Sequence, residues 1–122
     1  MPTFFVPGRI TNPLNGSHRH WSVRARWAKE WRGLTATIAH LQCGGAPPTL
    51  PKRIRLVGHV ARRFDDDNYR AAMKPVRDGL RDGGIIQNDD PSCGHLFEYD
   101  QVVKRPFGVT VIIERRDFPW QK

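Results

Sequence analysis

Only two of the 122 residues are cysteines, Cys43 and Cys93, and they stand far apart in a chain whose start shows no export signal. Reducing conditions then favour free thiols, so no structural disulfide is expected. Met1 to Arg9 is interrupted by Pro7 and Gly8 too soon to serve as a signal peptide, which makes the cytoplasm the expected address. No apolar run approaches the roughly 18 residues of a membrane span, so no membrane partner is expected. Glycine-rich phosphate loops, internal repeats, low-complexity tracts and heptads are missing, which removes several nucleotide-binding classes and with them a nucleotide cofactor. His18, His20, Cys43, Cys93 and His95 include no Cys-x-x-Cys or His-x-x-x-His pair, so a zinc site is not expected.

Acid is scarce where base is plentiful. Residues 1 to 64 hold eleven Lys and Arg against one acid, Glu30, and the whole chain carries a formal net charge of +8. Such a field gathers phosphates, and its effect depends steeply on salt. A solvated basic surface that only aids solubility is the plain alternative. The length fits one domain spanning 1 to 122, with room for one core and one site.

Against that background three consecutive aspartates, Asp65, Asp66 and Asp67, end a strand-like run and begin a helix-like one. Crowded carboxylates repel, and a divalent cation is the simplest means of neutralising them in a basic protein. Asp89 and Asp90 form a second acidic pair, and the helix between the clusters would let the chain bring both to one place. The leading expectation is a metal-dependent enzyme acting on a polyanion.

The elements read as follows. Thr3 to Val6 is a short apolar edge strand, followed by a donor-rich loop from Arg9 to His20 able to drape over a phosphate. With Ser22 as N-cap, Val23, Trp27, Trp31, Leu34, Ile38 and Leu41 recur at helical spacing, so the central tryptophans are expected in the core, while Trp21 stays ambiguous. Two glycines and three prolines between Cys43 and Pro51 form a loop. From Lys52 to Arg63, Ile54, Leu56 and Val60 alternate with Arg53, Arg55 and His59, a strand buried on one face. Continued extended backbone would point Asp65 and Asp67 to one side and Asp66 away. A helix from about Asn68 to Asp82 then sets Tyr69, Ala72, Met73, Val76 and Leu80 on one face and Asp67, Arg70, Lys74, Asp78 and Arg81 opposite, with a kink near Pro75. Gly83-Gly84 stops it, Ile85-Ile86 enters the core, and His95 to Lys104 and Gly108 to Arg115 complete the chain as strands. The order is β-α-β-α-β-β, an α+β pattern.

The run Asp65-Asp66-Asp67-Asn68, then Lys74-Pro75-Val76-Arg77-Asp78-Gly79-Leu80, then Gly84-Ile85-Ile86 and Asp89-Asp90 resembles the RusA family of Holliday-junction resolvases. The likeness spans roughly residues 3 to 115, and its specific part is central. It implies a RusA-like α+β fold with helices packed on a mixed sheet, in a homodimer that cleaves branched DNA by paired, symmetric nicks. Asp65 and Asp67, with Asp89 or Asp90, would ligate Mg²⁺, for which Mn²⁺ could substitute, and Asp65, Asp67, Asp90 and Lys74 would be the catalytic set. A cytoplasmic protein of bacterial or phage origin is also implied. Lys74 stands further beyond Asn68 than the family lysine does, and the interval before the acidic pair is one residue longer, so both Asp89 and Asp90 are retained. Lys74, or failing that Arg70, would supply positive charge at the reacting phosphate. Arg9, His18, Arg19, His20, Arg24, Arg63, Asn68, Arg70 and Lys74 are the expected DNA contacts.

Plainer roles stand beside these. Asp66 reads as a solvated neighbour or cap, Asp78 as the i+4 partner of Lys74, and Asp65 with Asp67 as a capping pair in a non-catalytic fold. The alternatives in function are a non-catalytic binder of branched or single-stranded DNA using the basic half and Trp21, and a nuclease of the same fold acting on flaps or forks.

Overall fold

The structure is a computed structural model, and it describes residues 3–11, 21–43 and 48–116. Strand β1 (Thr3–Pro7) leads to helix α1 (Trp21–Cys43), strand β2 (Lys52–Val60), helices α2 (Asp66–Ala72) and α3 (Lys74–Asp82), a 3₁₀ turn (Pro91–Cys93), and strands β3 (Leu96–Val103) and β4 (Gly108–Arg115). This is the expected β-α-β-α-β-β order, with the fourth element divided in two. The strands form one mixed sheet in the order β1-β4-β2-β3, with β2 and β3 parallel and the other pairs antiparallel. β1 is an edge strand, as its brevity suggested. No helix among the described residues is long and apolar enough to cross a membrane.

Alternation decides which side of the sheet is inside. Ile54, Leu56 and Val60 of β2 are buried, and so are Val109, Val111 and Ile113 of β4. They meet Ala39, Tyr69, Met73, Val76, Leu80, Ile85 and Ile86 in one core cluster. The Tyr69 hydroxyl donates to the Leu56 carbonyl at 2.8 Å, so the largest buried side chain ties α2 to β2 with its polar end satisfied.

The expected helix over 68–82 breaks at Met73. Proline at 75 has no N–H to offer the carbonyl of Ala71, and its ring crowds that carbonyl, so α2 ends and Pro75 occupies the first turn of α3. The start of α1 also differs, since Ser22 lies within the helix that opens at Trp21 and is not its cap. The buried face of α1 is narrower than its apolar spacing suggested. Thr35 and Ala39 are buried, Trp31 and Ile38 pack on the core, and Leu34 and Leu41 remain 40% and 75% exposed. The reason is a close helix crossing: a Cβ on Gly79 would lie 2.6 Å from Thr35 Cβ, and one on Gly83 would lie 2.8 Å from the Ala36 carbonyl oxygen. Small residues let α1 and α3 approach, and the larger ones are turned aside.

Candidate functional site

β2 ends at Val60, where its register partner is Val103, and the chain leaves the sheet through 61–65 before α2 begins. Phe64 N–H donates to Gln101 Oε1 at 2.8 Å, and Gln101 Nε2 returns a bond to the Phe64 carbonyl at 3.0 Å, which pins this crossing to β3. Strand alternation therefore does not extend through the aspartates. Asp65 is the N-cap of α2 in extended conformation, whereas Asp66 and Asp67 lie in its first turn, where the helix dipole favours negative charge. The expectation that Asp65 and Asp67 share a strand face is corrected accordingly. All three are exposed, Asp65 makes no side-chain capping bond, and none enters an ion pair among the described residues.

The second acidic segment reaches α3 and divides by role. Asp89 Oδ2 accepts from Lys74 Nζ at 3.0 Å and from Arg77 Nε at 3.2 Å. Burial pushes the Asp89 carboxyl up, but those two hydrogen bonds and the charges behind them outweigh it and hold the group below the usual carboxylate range. Asp90 faces elsewhere in the bonding pattern: its Oδ1 accepts from Ser92 N–H at 3.0 Å and its carbonyl from Cys93 N–H at 3.0 Å, so it organises the 3₁₀ turn. Of the pair left open by the sequence, Asp89 is the one joined to the α3 cations.

Lys74 also meets Asp78 at 3.1 Å, the i+4 pair expected from spacing. Its bonds to Asp89 first, and to Asp78, raise the ammonium above its ordinary range and keep it cationic. Beside it lies a residue the sequence reading missed. Arg77, with only 14% of its side chain exposed, bonds Asp89, the Arg70 carbonyl at 2.9 Å and the Tyr99 hydroxyl at 3.0 Å. The Arg70 and Arg77 guanidinium groups lie 5.0 and 5.7 Å from the Tyr99 ring centre, within cation–π range. The signal was present in the spacing, because Arg77 follows Arg70 by two helical turns and so shares its face.

Between α2 and β3 an open cleft of about 420 Å³ is lined by Arg63, Asp66, Arg70, Tyr99 and Asp100 among others. Asp66, read from sequence as a bystander, is the aspartate of the three that lines it. Arg63 bonds the Gln101 carbonyl at 3.3 Å, Asn68 is half-buried in α2, and Arg70 is exposed. Arg9 is exposed beyond β1, and its carbonyl accepts from Trp31 Nε1 at 3.3 Å. Arg24 lies in the first turns of α1. His18, Arg19 and His20 lie outside the described residues.

Oxygen donors are what Mg²⁺ requires, and it is often held by one or two carboxylates with water and phosphate completing the shell. Asp65 and Asp67, exposed and unpaired, fit that pattern. Among the described residues, however, no three His, Cys, Asp or Glu side chains stand close enough to grip one ion. The expected trio of Asp65, Asp67 and Asp89 or Asp90 is thus not assembled as a closed cage. No family model matches the chain, and no curated protein matches it significantly.

Proposed function

We propose that this chain is a magnesium-dependent, structure-selective DNA endonuclease of the RusA type, which resolves four-way junctions by paired symmetric cleavage as a homodimer. One observation carries the reading: the 3.0 Å bond from Lys74 to Asp89 brings the second acidic segment back to the helix pair that opens with Asp65 and Asp67. The charge supports it, since a phosphate backbone is attracted to a chain of net charge +8.

In this reading Asp65 and Asp67 hold the metal, which when bound neutralises phosphate oxygens and activates water. Lys74, kept protonated by its acidic partners, offers positive charge to the phosphate as negative charge builds. Arg77 does not reach the DNA; it orients Asp89 and thereby Lys74. Arg70 and Arg63, on the rim of the α2–β3 cleft, contact the backbone. A four-way junction is nearly two-fold symmetric, so two copies related by a two-fold axis present one site to each opposed strand.

A second reading, a non-catalytic binder of branched DNA, is favoured by the open carboxylate arrangement at 65–67 and by the engagement of Asp89 Oδ2 with two cations. Cleavage of a synthetic four-way junction, linear duplex and flap DNA with and without Mg²⁺ or Mn²⁺ separates them. We expect metal-dependent, symmetric junction nicks that vanish in Asp67→Asn while junction binding persists. Binding without cutting in either metal would leave the non-catalytic binder standing, and preferential flap cutting would reassign the substrate.

A further inference from the structure

The helix face that lines up Trp27, Trp31 and Leu34 is not wholly used by the core. Trp31 packs on the core cluster, Trp27 one turn earlier is partly buried, and Leu34 one turn later is 40% exposed. With Gly8 and Arg9, beyond the end of β1, and with Glu30, they line a groove of about 550 Å³. Small-ligand sites run from roughly 300 to 1,000 Å³, so the space suffices for a flat ring and its attachments. One wall of the groove is fixed in place. Trp31 Nε1 donates to the Arg9 carbonyl at 3.3 Å, and Gly8 passes the same ring so closely that a Cβ there would stand 3.0 Å from Trp31 Cζ2. The Arg9 side chain is left exposed at the rim.

The register relates this groove to the proposed site. Pro7 of β1 and His59 of β2 are both partners of Gly108, so two strand spacings, about 10 Å, separate the end of β1 from the end of β2. The chain leaves that same end of the sheet for Asp65, Asp66 and Asp67. Indole faces accept any flat ring, and charge must choose the occupant. Residues 1 to 64 carry eleven Lys and Arg against Glu30 alone, which favours a polyanion over an apolar peptide or a second copy of the same basic chain. Bases in a duplex have their faces covered, so only an unpaired base can stack on protein aromatics. Glu30 repels phosphate but accepts from exocyclic amino groups, which sets the base on the helix side and its phosphate on the Arg9 side. We infer that the groove between the end of β1 and α1 holds an unpaired nucleobase of a DNA strand, stacked on Trp27 beside the fixed wall of Trp31, with Arg9 on its phosphate. This deepens the proposed function and rests on it only in taking DNA as the polyanion.

Fluorescence anisotropy of a labelled single strand of about ten nucleotides, with the full chain and no metal, tests it against the same strand made abasic throughout, which keeps every phosphate. The wild type should bind the base-bearing strand about tenfold or more tighter. Trp27→Leu should bring that ratio close to one, and Trp27→Tyr, which keeps an aromatic face, should restore part of it. Arg9→Ala should weaken both strands alike and reduce the salt slope by about 0.7. Circular dichroism checks that each variant is folded. Should Trp27→Leu not fold, a strand carrying 5-iodouracil, irradiated with the wild type, should still crosslink at Trp27 or Trp31. The inference is overturned if the two strands bind the wild type equally or not at all, if the ratio survives in folded Trp27→Leu, or if crosslinks fall only on other residues. Equal binding together with a lower sedimentation mass in Trp27→Leu would give the groove to a second copy instead. Junction cleavage without base-dependent binding spares the endonuclease reading, and base-dependent binding without cleavage in either metal spares this one, so the two fail separately.

Discussion

Replacing Gly79 by alanine tests the close crossing of α1 and α3 on which the position of Lys74 and Arg77 depends. The added Cβ would stand 2.6 Å from Thr35 Cβ and 2.7 Å from the Arg32 carbonyl oxygen. Ordinary carbon contacts lie at about 3.5–4.0 Å, so roughly 1 Å of separation must be found. A backbone carbonyl cannot rotate away, and the two helices must part. Overpacking of this kind costs about 1–3 kcal/mol, with a rigid neighbour toward the upper end. Alanine returns about 1 kcal/mol of helix propensity, leaving a net loss of about 2 kcal/mol. Gly33, inside α1, is the control, because a Cβ there meets nothing within 4 Å. Gly33→Ala should therefore gain about 1 kcal/mol. Urea unfolding followed by far-ultraviolet circular dichroism should show the midpoint falling for Gly79→Ala and rising for Gly33→Ala. The roughly 3 kcal/mol between them measures the crossing alone, since propensity cancels. Equal effects of the two substitutions, or a Gly79→Ala protein as stable as the wild type, would refute the packing argument.

Three further outcomes follow from the site. Arg77→Lys cannot reach Asp89, the Arg70 carbonyl and the Tyr99 hydroxyl together, so it should lower stability by about 1–3 kcal/mol in the same urea assay; an unchanged midpoint would deny Arg77 its organising role. Burial first, then the Lys52 and Arg116 charges, lower the His95 pKa, so the unfolded chain takes up its proton first as pH falls. The associated stability is present above about pH 6.5 and is lost progressively below it, and the thermal midpoint between pH 7 and 5 should fall less steeply in His95→Gln than in the wild type. The depressed Asp89 carboxyl works at lower pH, stabilising above about pH 4 and releasing that contribution as acid protonates it, so Asp89→Asn should flatten the acid limb of the stability profile.

Much of the architecture could be read from periodicity. Alternation in Ile54, Leu56 and Val60 and in Val109, Val111 and Ile113 placed two strands and their buried faces, because side chains on extended backbone must alternate. Helical spacing placed Tyr69, Met73, Val76 and Leu80 in the core and paired Lys74 with Asp78. These are local properties, determined within a few residues along the chain.

What local pattern could not decide depended on partners distant in sequence. Leu34 and Leu41 match the apolar stripe of α1, yet glycines at 79 and 83 draw α3 onto the small residues beside them and leave both leucines outside. Asp65 and Asp67 match strand alternation, yet β2 ends with its ladder at Val60 and the helix takes the aspartates onto its first turn. Asp89 and Asp90 are adjacent and chemically identical. Only the return of the chain to α3 gives one to Lys74 and Arg77 and leaves the other to cap a turn, because a side chain's role is set by which donors lie within about 3 Å of it in space.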